Sequence, residues 1–223
     1  MNNKGFFIAF EGNDGAGKST VSRDIYDSIV TIYPNTTFLD KNHPVLESGY
    51  GMYHMGKIRE ILWDYDISAP LDELGDSHWL LLLSSWFAAL DYGIIKPALN
   101  EGKIIISDGW FYKYIARFSL KNDIMRNIAN EVFNLSTEPD LTIYLDVTPR
   151  VAATRKETLK PSESGMLEND KNLNFSSYQQ LVREQYSKFF NDKWIHMNTT
   201  DLSPEYLKVH IIEIIKSNLE KQK

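Results

Sequence analysis

Five short apolar runs punctuate the chain, with longer stretches of helical spacing between them. The runs are Gly5–Phe10, Thr36–Leu39, Lys103–Ser107, Leu141–Val147 and Trp194–Met197. They are rich in β-branched and aromatic residues and do not alternate with polar ones, which suits strands covered on both faces. Between them the spacing predicts helices over Lys18–Ile32, Tyr53–Trp63, Asp72–Asn100, Arg150–Thr158 and Asn174–Asn191. The Asp72–Asn100 helix is expected to bend or break before Pro97. The stretch Trp110–Leu135 reads as one helix or two. Thr148 and Pro149 form an N-cap and first-position pair. Ser203-Pro204-Glu205 opens a last helix whose apolar face is Leu207, Ile211, Ile214, Ile215 and Leu219. Strands alternating with helices predict an α/β fold with a parallel sheet between two helical layers. Ligands in such sheets bind beyond the carboxyl ends of the strands.

Composition narrows the function classes. The 223 residues are within the range of one domain spanning 1–223. A net charge of -6 argues against a broad nucleic-acid footprint, and a small phosphate site needs only a local positive field. The absence of cysteine excludes disulfides, zinc–thiolate sites and cysteine nucleophiles, and fits a cytoplasmic protein. No signal peptide is expected at the N-terminus. The most apolar segment, Trp79–Leu90, is about half the length a bilayer requires, so no membrane partner is expected. The five histidines show no metal-ligand spacing. Lys160–Asn172 is polar, contains Pro and Gly, and reads as a mobile loop.

The candidate chemistry sits after the first strand. Gly12, Gly17, Lys18 and Ser19 satisfy G-x-x-x-x-G-K-[ST]. Glycines let backbone N–H groups curl inward, and the following helix aims its positive end at the same point. Gly12, Asp14, Gly15, Ala16, Gly17, Lys18, Ser19 and Thr20 are therefore the expected ATP-binding residues. Lys18 is expected at the β/γ-phosphates, Ser19 on magnesium and Thr20 at the α-phosphate. A strand before the loop and a helix after it distinguish this from a chance glycine turn.

At this point the residues resemble a known family. Phe10-Glu11-Gly12-Asn13-Asp14-Gly15-Ala16-Gly17-Lys18-Ser19-Thr20 resembles the F-E-G-x-D-G-x-G-K-S-T loop of thymidylate kinases. Gly56–Leu62, Ile95–Lys103, Ser107-Asp108, Pro139–Val147, Arg155-Lys156 and Val182–Tyr186 resemble further segments, so the likeness covers nearly the whole chain. It implies a P-loop NTPase three-layer fold with a five-stranded parallel sheet, a lid at about 156–173 and a homodimer. It also implies in-line transfer of the γ-phosphoryl of ATP to a small-molecule acceptor. Lys18, Arg155 and Asp14 would be catalytic, and Asp108 would join Ser19 at magnesium. The plainer readings are a helix N-cap for Asp108 and a solvated helix residue for Arg155.

The acceptor half departs from the family pattern. Gly109 stands where the family has an arginine, Phe87 where a second reads the base, and Asn42 where a third follows the second strand. Leu83 replaces the base-stacking phenylalanine, and Arg117 and Phe118 replace a Tyr-Gln pair. The lid stretch Gly165–Glu168 has no arginine. Asp14 and Tyr186 remain of the usual acceptor contacts, and Trp86, Phe87, Trp110 and Arg117 would rebuild the pocket. Arg117, Lys113 or Arg126 would bring charge from a new direction. The plainer reading of the aromatics is core. Losing three arginines removes charge-assisted bonds worth about 1.5–3 kcal/mol each, which predicts an acceptor other than ordinary dTMP. The competing expectations are a thymidylate kinase with a rearranged site and a nucleotide-binding protein without transfer activity.

Overall fold

The computed structural model describes residues 4–66, 68–156, 161–165, 175–200 and 202–221. The five expected strands form β1 (Phe6–Glu11), β2 (Thr36–Leu39), β3 (Ile104–Ser107), β4 (Leu141–Asp146) and β5 (Trp194–Asn198). They pair in the order β2-β3-β1-β4-β5, and every pairing is parallel. β1 lies at the centre and is buried along its whole length.

The helices are α1 (Lys18–Ile32), α2 (Gly49–Trp63), α3 (Gly75–Leu90), α4 (Lys96–Asn100), α5 (Tyr112–Ser119), α6 (Asp123–Phe133), α7 (Pro149–Thr154), α8 (Phe175–Tyr186) and α9 (Pro204–Lys221). α2 starts a turn earlier than the apolar spacing indicates, because the Ser48 side chain caps it by accepting from the Gly51 N–H. The segment after β3 resolves into two helices, with the Asn122 side chain capping the second. The bend before Pro97 is a turn of π-helix over Asp91–Ile95, which supplies the spare carbonyl geometry that a proline needs. Thr148 has the extended backbone of a cap, but its side chain accepts no capping bond.

Alternation along β1 sorts the core into two layers. Phe7 and Ala9 face α2 to α6, among Leu80, Trp86, Phe87 and Leu90. Phe6, Ile8 and Phe10 face α1, α7 and α9, among Ile25, Ile29, Ile211 and Ile215. Burying each such side chain contributes about 1.5–3 kcal/mol. A third cluster of Ala116, Tyr144, Tyr178, Val182, Tyr186 and Trp194 ties α5 and α8 to β4 and β5. The helical run Leu71–Asn100 is longer than the apolar segment alone suggests, and by length and composition it is apolar enough to cross a bilayer. Here Leu80, Leu83, Trp86, Phe87, Leu90 and Ile95 are packed inside the protein.

Candidate active site

The loop between β1 and α1 turns on Gly17, whose φ of 84° is in the left-handed region. That residue leads directly into α1, so the helix N-terminus and the loop share one focus. Lys18 folds back over the loop. Its Nζ donates to the carbonyls of Gly12 at 2.8 Å and Asn13 at 2.7 Å. Burial, followed by the charge of Lys113, pulls the Lys18 ammonium down to about 7. A triphosphate would supply the missing negative charge.

Ser19 and Asp108 meet at the end of β3. The Ser19 hydroxyl donates to Asp108 Oδ2 at 3.1 Å. Asp108 is therefore no N-cap. Its other oxygen accepts from the Lys41 backbone N–H at 3.1 Å and from Lys41 Nζ at 3.4 Å. A hydroxyl and one carboxylate are hard oxygen donors. Among the described residues no group of three or more His, Cys, Asp or Glu is placed to hold a metal. Such a sparse donor set fits magnesium, which takes one or two carboxylates and completes its shell with water and phosphate oxygens.

Asp14 is the hub of a second set of polar contacts. Its Oδ1 accepts from Lys113 Nζ at 3.0 Å, and its Oδ2 accepts from Arg117 and, at 3.1 Å, from Gln179 Nε2. Gln179 Oε1 accepts from the Asp14 backbone N–H at 3.1 Å. Burial alone would raise the Asp14 carboxyl, but the charges of Lys113 and Arg117 hold it well below its usual 3.8. Glu11 lies beneath the loop, accepting from the Trp110 backbone N–H at 2.9 Å and from the Tyr186 hydroxyl at 2.8 Å. Burial raises its carboxyl.

These groups open onto a cavity of about 580 Å³. It is lined by Lys18, Ser19 and Thr20 of the glycine loop and α1 and by the apolar side chains Trp63, Trp79, Leu83, Tyr114 and Phe118. Lys41, Lys113 and Arg117 line it as well. The Arg117 Nε is buried without a hydrogen-bond partner among the described residues. The segment after α7 supplies Lys156, paired with Glu163 at 2.9 Å, and Ser162, which accepts from the Tyr65 hydroxyl at 3.1 Å.

Several expected contacts lie elsewhere. Trp86, Phe87, Trp110 and Tyr186 are fully buried and do not line the cavity. Trp86 and Phe87 turn toward the sheet, where Phe87 meets the Trp110 ring edge-on at 5.1 Å. Leu83, one turn earlier on α3, carries the exposed wall. Arg126 pairs with Asp123 at 2.8 Å and is also outside the cavity. Arg155 is exposed at the end of α7, its guanidinium donates to the Thr199 carbonyl at 3.3 Å, and it does not line the cavity. Met166–Glu168 and Lys160 lie outside the described residues. Sequence reasoning missed Lys41, Gln179, Trp63 and Trp79. Only the buried position of Gln179 on the apolar face of α8 left a trace in the pattern.

The family model described as thymidylate kinase matches residues 10–211. The chain belongs to the thymidylate kinase family. A thymidylate kinase from Thermoanaerobacter sp. is 31% identical over 224 residues, covering 97% of this chain and all of that protein (100%). One from Lactobacillus acidophilus is 29% identical, covering 95% and 94%. The family fold is matched by the structure of thymidylate kinase from Candida albicans, with a TM-score of 0.70 at 19% identity over 99% of this chain and 94% of that one. In this family setting the chain is a phosphotransferase of the nucleoside monophosphate kinase class.

Proposed function

We propose that the protein transfers the γ-phosphoryl group of ATP to dTMP, with magnesium. The observation that carries this reading is the single cavity joining the Lys18–Ser19 loop to a chamber walled by aromatics and lined by Lys41, Lys113 and Arg117. The relatives support dTMP over a different acceptor, since they are named thymidylate kinases. The expectation of another acceptor rested on three missing arginines, and Lys113 and Arg117 supply cationic charge from α5 instead.

In this reading Lys18 and the α1 N-terminus hold the β/γ-phosphates. Ser19 and Asp108 hold magnesium, which neutralises developing charge when bound. Asp14 fixes Lys113 and Arg117 so that their remaining donors face the acceptor phosphate. Trp63, Trp79, Tyr114 and Phe118 exclude water and pack the base. The γ-phosphoryl leaves the β-phosphate oxygen and bonds to an oxygen of the acceptor phosphate, so the chain contributes positioning and charge rather than a covalent intermediate. The chain acts as one domain over 1–223 with a lid at about 156–173. It works in the cytoplasm as a homodimer, to which the exposed Leu81 and Tyr92 contribute apolar surface.

The test is ADP release with each of a panel of nucleoside monophosphates. Turnover of dTMP above the others supports the reading. Turnover of a different monophosphate in preference to dTMP, or ATP binding with no turnover of any, would overturn it.

A further inference from the structure

Gln179 is a neutral, fully buried residue on α8 that does not line the cavity. It nevertheless meets both the phosphate loop and the segment after α7. Both of its amide hydrogens and its amide oxygen are engaged. Nε2 donates to Asp14 Oδ2 at 3.1 Å and to the Glu163 carbonyl at 2.8 Å, while Oε1 accepts from the Asp14 backbone N–H at 3.1 Å. The ionised carboxylate and the carbonyl can only accept and the N–H can only donate, so the amide has one possible orientation. The Gln179 carbonyl also accepts from Asn13 Nδ2 at 2.8 Å. One residue of α8 thus holds two neighbouring residues of the loop.

The segment after α7 rests on the same turn of α8. Gly165, at φ 70°, approaches the Tyr178 ring so closely that a Cβ there would lie 2.3 Å from Cδ2. Glu163 bonds Gln179 through its carbonyl, and its carboxylate pairs with Lys156 at 2.9 Å. Ser162 makes a further tie, to the Tyr65 hydroxyl beyond α2. Packing does not call for an amide at position 179. Tyr178, Val182 and Tyr186 already join α8 to Tyr144 and Trp194 of the sheet. An apolar side chain at 179 would leave the Asp14 N–H and the Glu163 carbonyl without this partner, and a carboxylate would face that of Asp14.

We propose that Gln179 is a positioning residue for phosphoryl transfer, which locks the Asn13–Asp14 part of the phosphate loop to the Glu163 segment and so sets where Lys156 stands in the cavity. This rests on the kinase function proposed above. The two parts it joins each hold a lysine. The Asn13 carbonyl accepts from Lys18 Nζ at 2.7 Å, and the Glu163 carboxylate holds Lys156. Both lysines line the cavity. In-line transfer requires its charged groups to be in place together, and Gln179 fixes one relative to the other without touching either.

The test is a double-mutant cycle on kcat with Gln179→Met, Lys156→Ala and the two combined, beside calorimetric titration of Mg·ATP and dTMP. Gln179→Met is expected to lower kcat about tenfold while either affinity changes about threefold or less. Lys156→Ala should cost about tenfold in the wild type and about threefold or less in the Gln179→Met protein, where the lysine is no longer held in place. A general loss of packing would leave the two factors independent. Gln179→His keeps one donor and one acceptor and should retain part of both kcat and coupling; the same cycle is read with it should Gln179→Met not fold. Two factors that simply multiply, or a Gln179 loss that falls on affinity with kcat unchanged, would overturn the inference and leave the proposed function standing. Wild-type protein that turns over no nucleoside monophosphate would overturn the proposed function, and this inference with it.

Discussion

The Tyr186 hydroxyl donates to Glu11 Oε2 at 2.8 Å directly beneath the phosphate loop, linking α8 to the end of β1. Both residues are buried, and neither lines the cavity. Tyr186→Phe leaves Glu11 with only the Trp110 N–H of these two donors. The expected cost is about 1–3 kcal/mol of stability, read by denaturant unfolding, with dTMP affinity nearly unchanged. Lost dTMP affinity without lost stability would instead make Tyr186 an acceptor contact.

Asp14 makes folding sensitive to acid. Its carboxyl is held well below its usual 3.8 in the folded protein. The folded state therefore binds fewer protons than the unfolded state across that interval. The stabilisation is complete above 3.8 and is lost as pH falls through the folded value. Asp14→Asn should cost about 3 kcal/mol near pH 6, because Lys113 and Arg117 lose their counter-ion in a buried site. The gap between wild type and variant should close below pH 4 in urea titrations. A pH-independent gap would contradict this account.

The scaffold is largely legible in the sequence, and so is the position of the glycine loop between β1 and α1. An apolar, phenylalanine-rich run, a glycine loop and an amphipathic stretch are local signals, and the observed β1 and α1 fall within a residue of their expected limits. The acceptor half depends on which way side chains turn. Matching family positions along α3 identifies Phe87 as a counterpart but not its direction, and the helix turns that residue into the core while Leu83 faces the cavity. Lys41 and Gly109 are far apart in sequence, and no local signal shows that the end of the lysine side chain packs against the glycine. Arg117 stands out in the sequence as a cation where the family has a tyrosine, whereas Gln179 carries no charge to mark its bond to Asp14.

The two cations that follow α7 can be ranked by placement. Lys156 lines the cavity and is paired with Glu163, while Arg155 is exposed and donates to Thr199. Lys156→Ala is expected to lower kcat about tenfold, and Arg155→Ala about threefold or less, with ATP affinity little changed in both. Steady-state kinetics at saturating dTMP would check the order. A larger kcat loss in Arg155→Ala would mean that this side chain swings onto the phosphates during transfer.

Lys18 makes ATP binding sensitive to base. In the free protein, burial and the neighbouring Lys113 bring its ammonium down to about 7 from 10.5. Bound phosphates favour the charged form and raise that value again. Below pH 7 the lysine is already protonated, so its contribution to affinity is constant. Above pH 7 each binding event must take up a proton. Affinity should then fall by up to about tenfold per pH unit until the value of the complex is reached. Calorimetry of Mg·ATP binding between pH 6 and 9, in buffers of different ionisation enthalpy, would read both the slope and the proton uptake. Lys18→Met should remove the slope, bind ATP weakly at every pH and abolish transfer while remaining folded. Wild-type affinity that stays level across this range, with no proton taken up, would show that Lys18 is fully charged before ATP arrives.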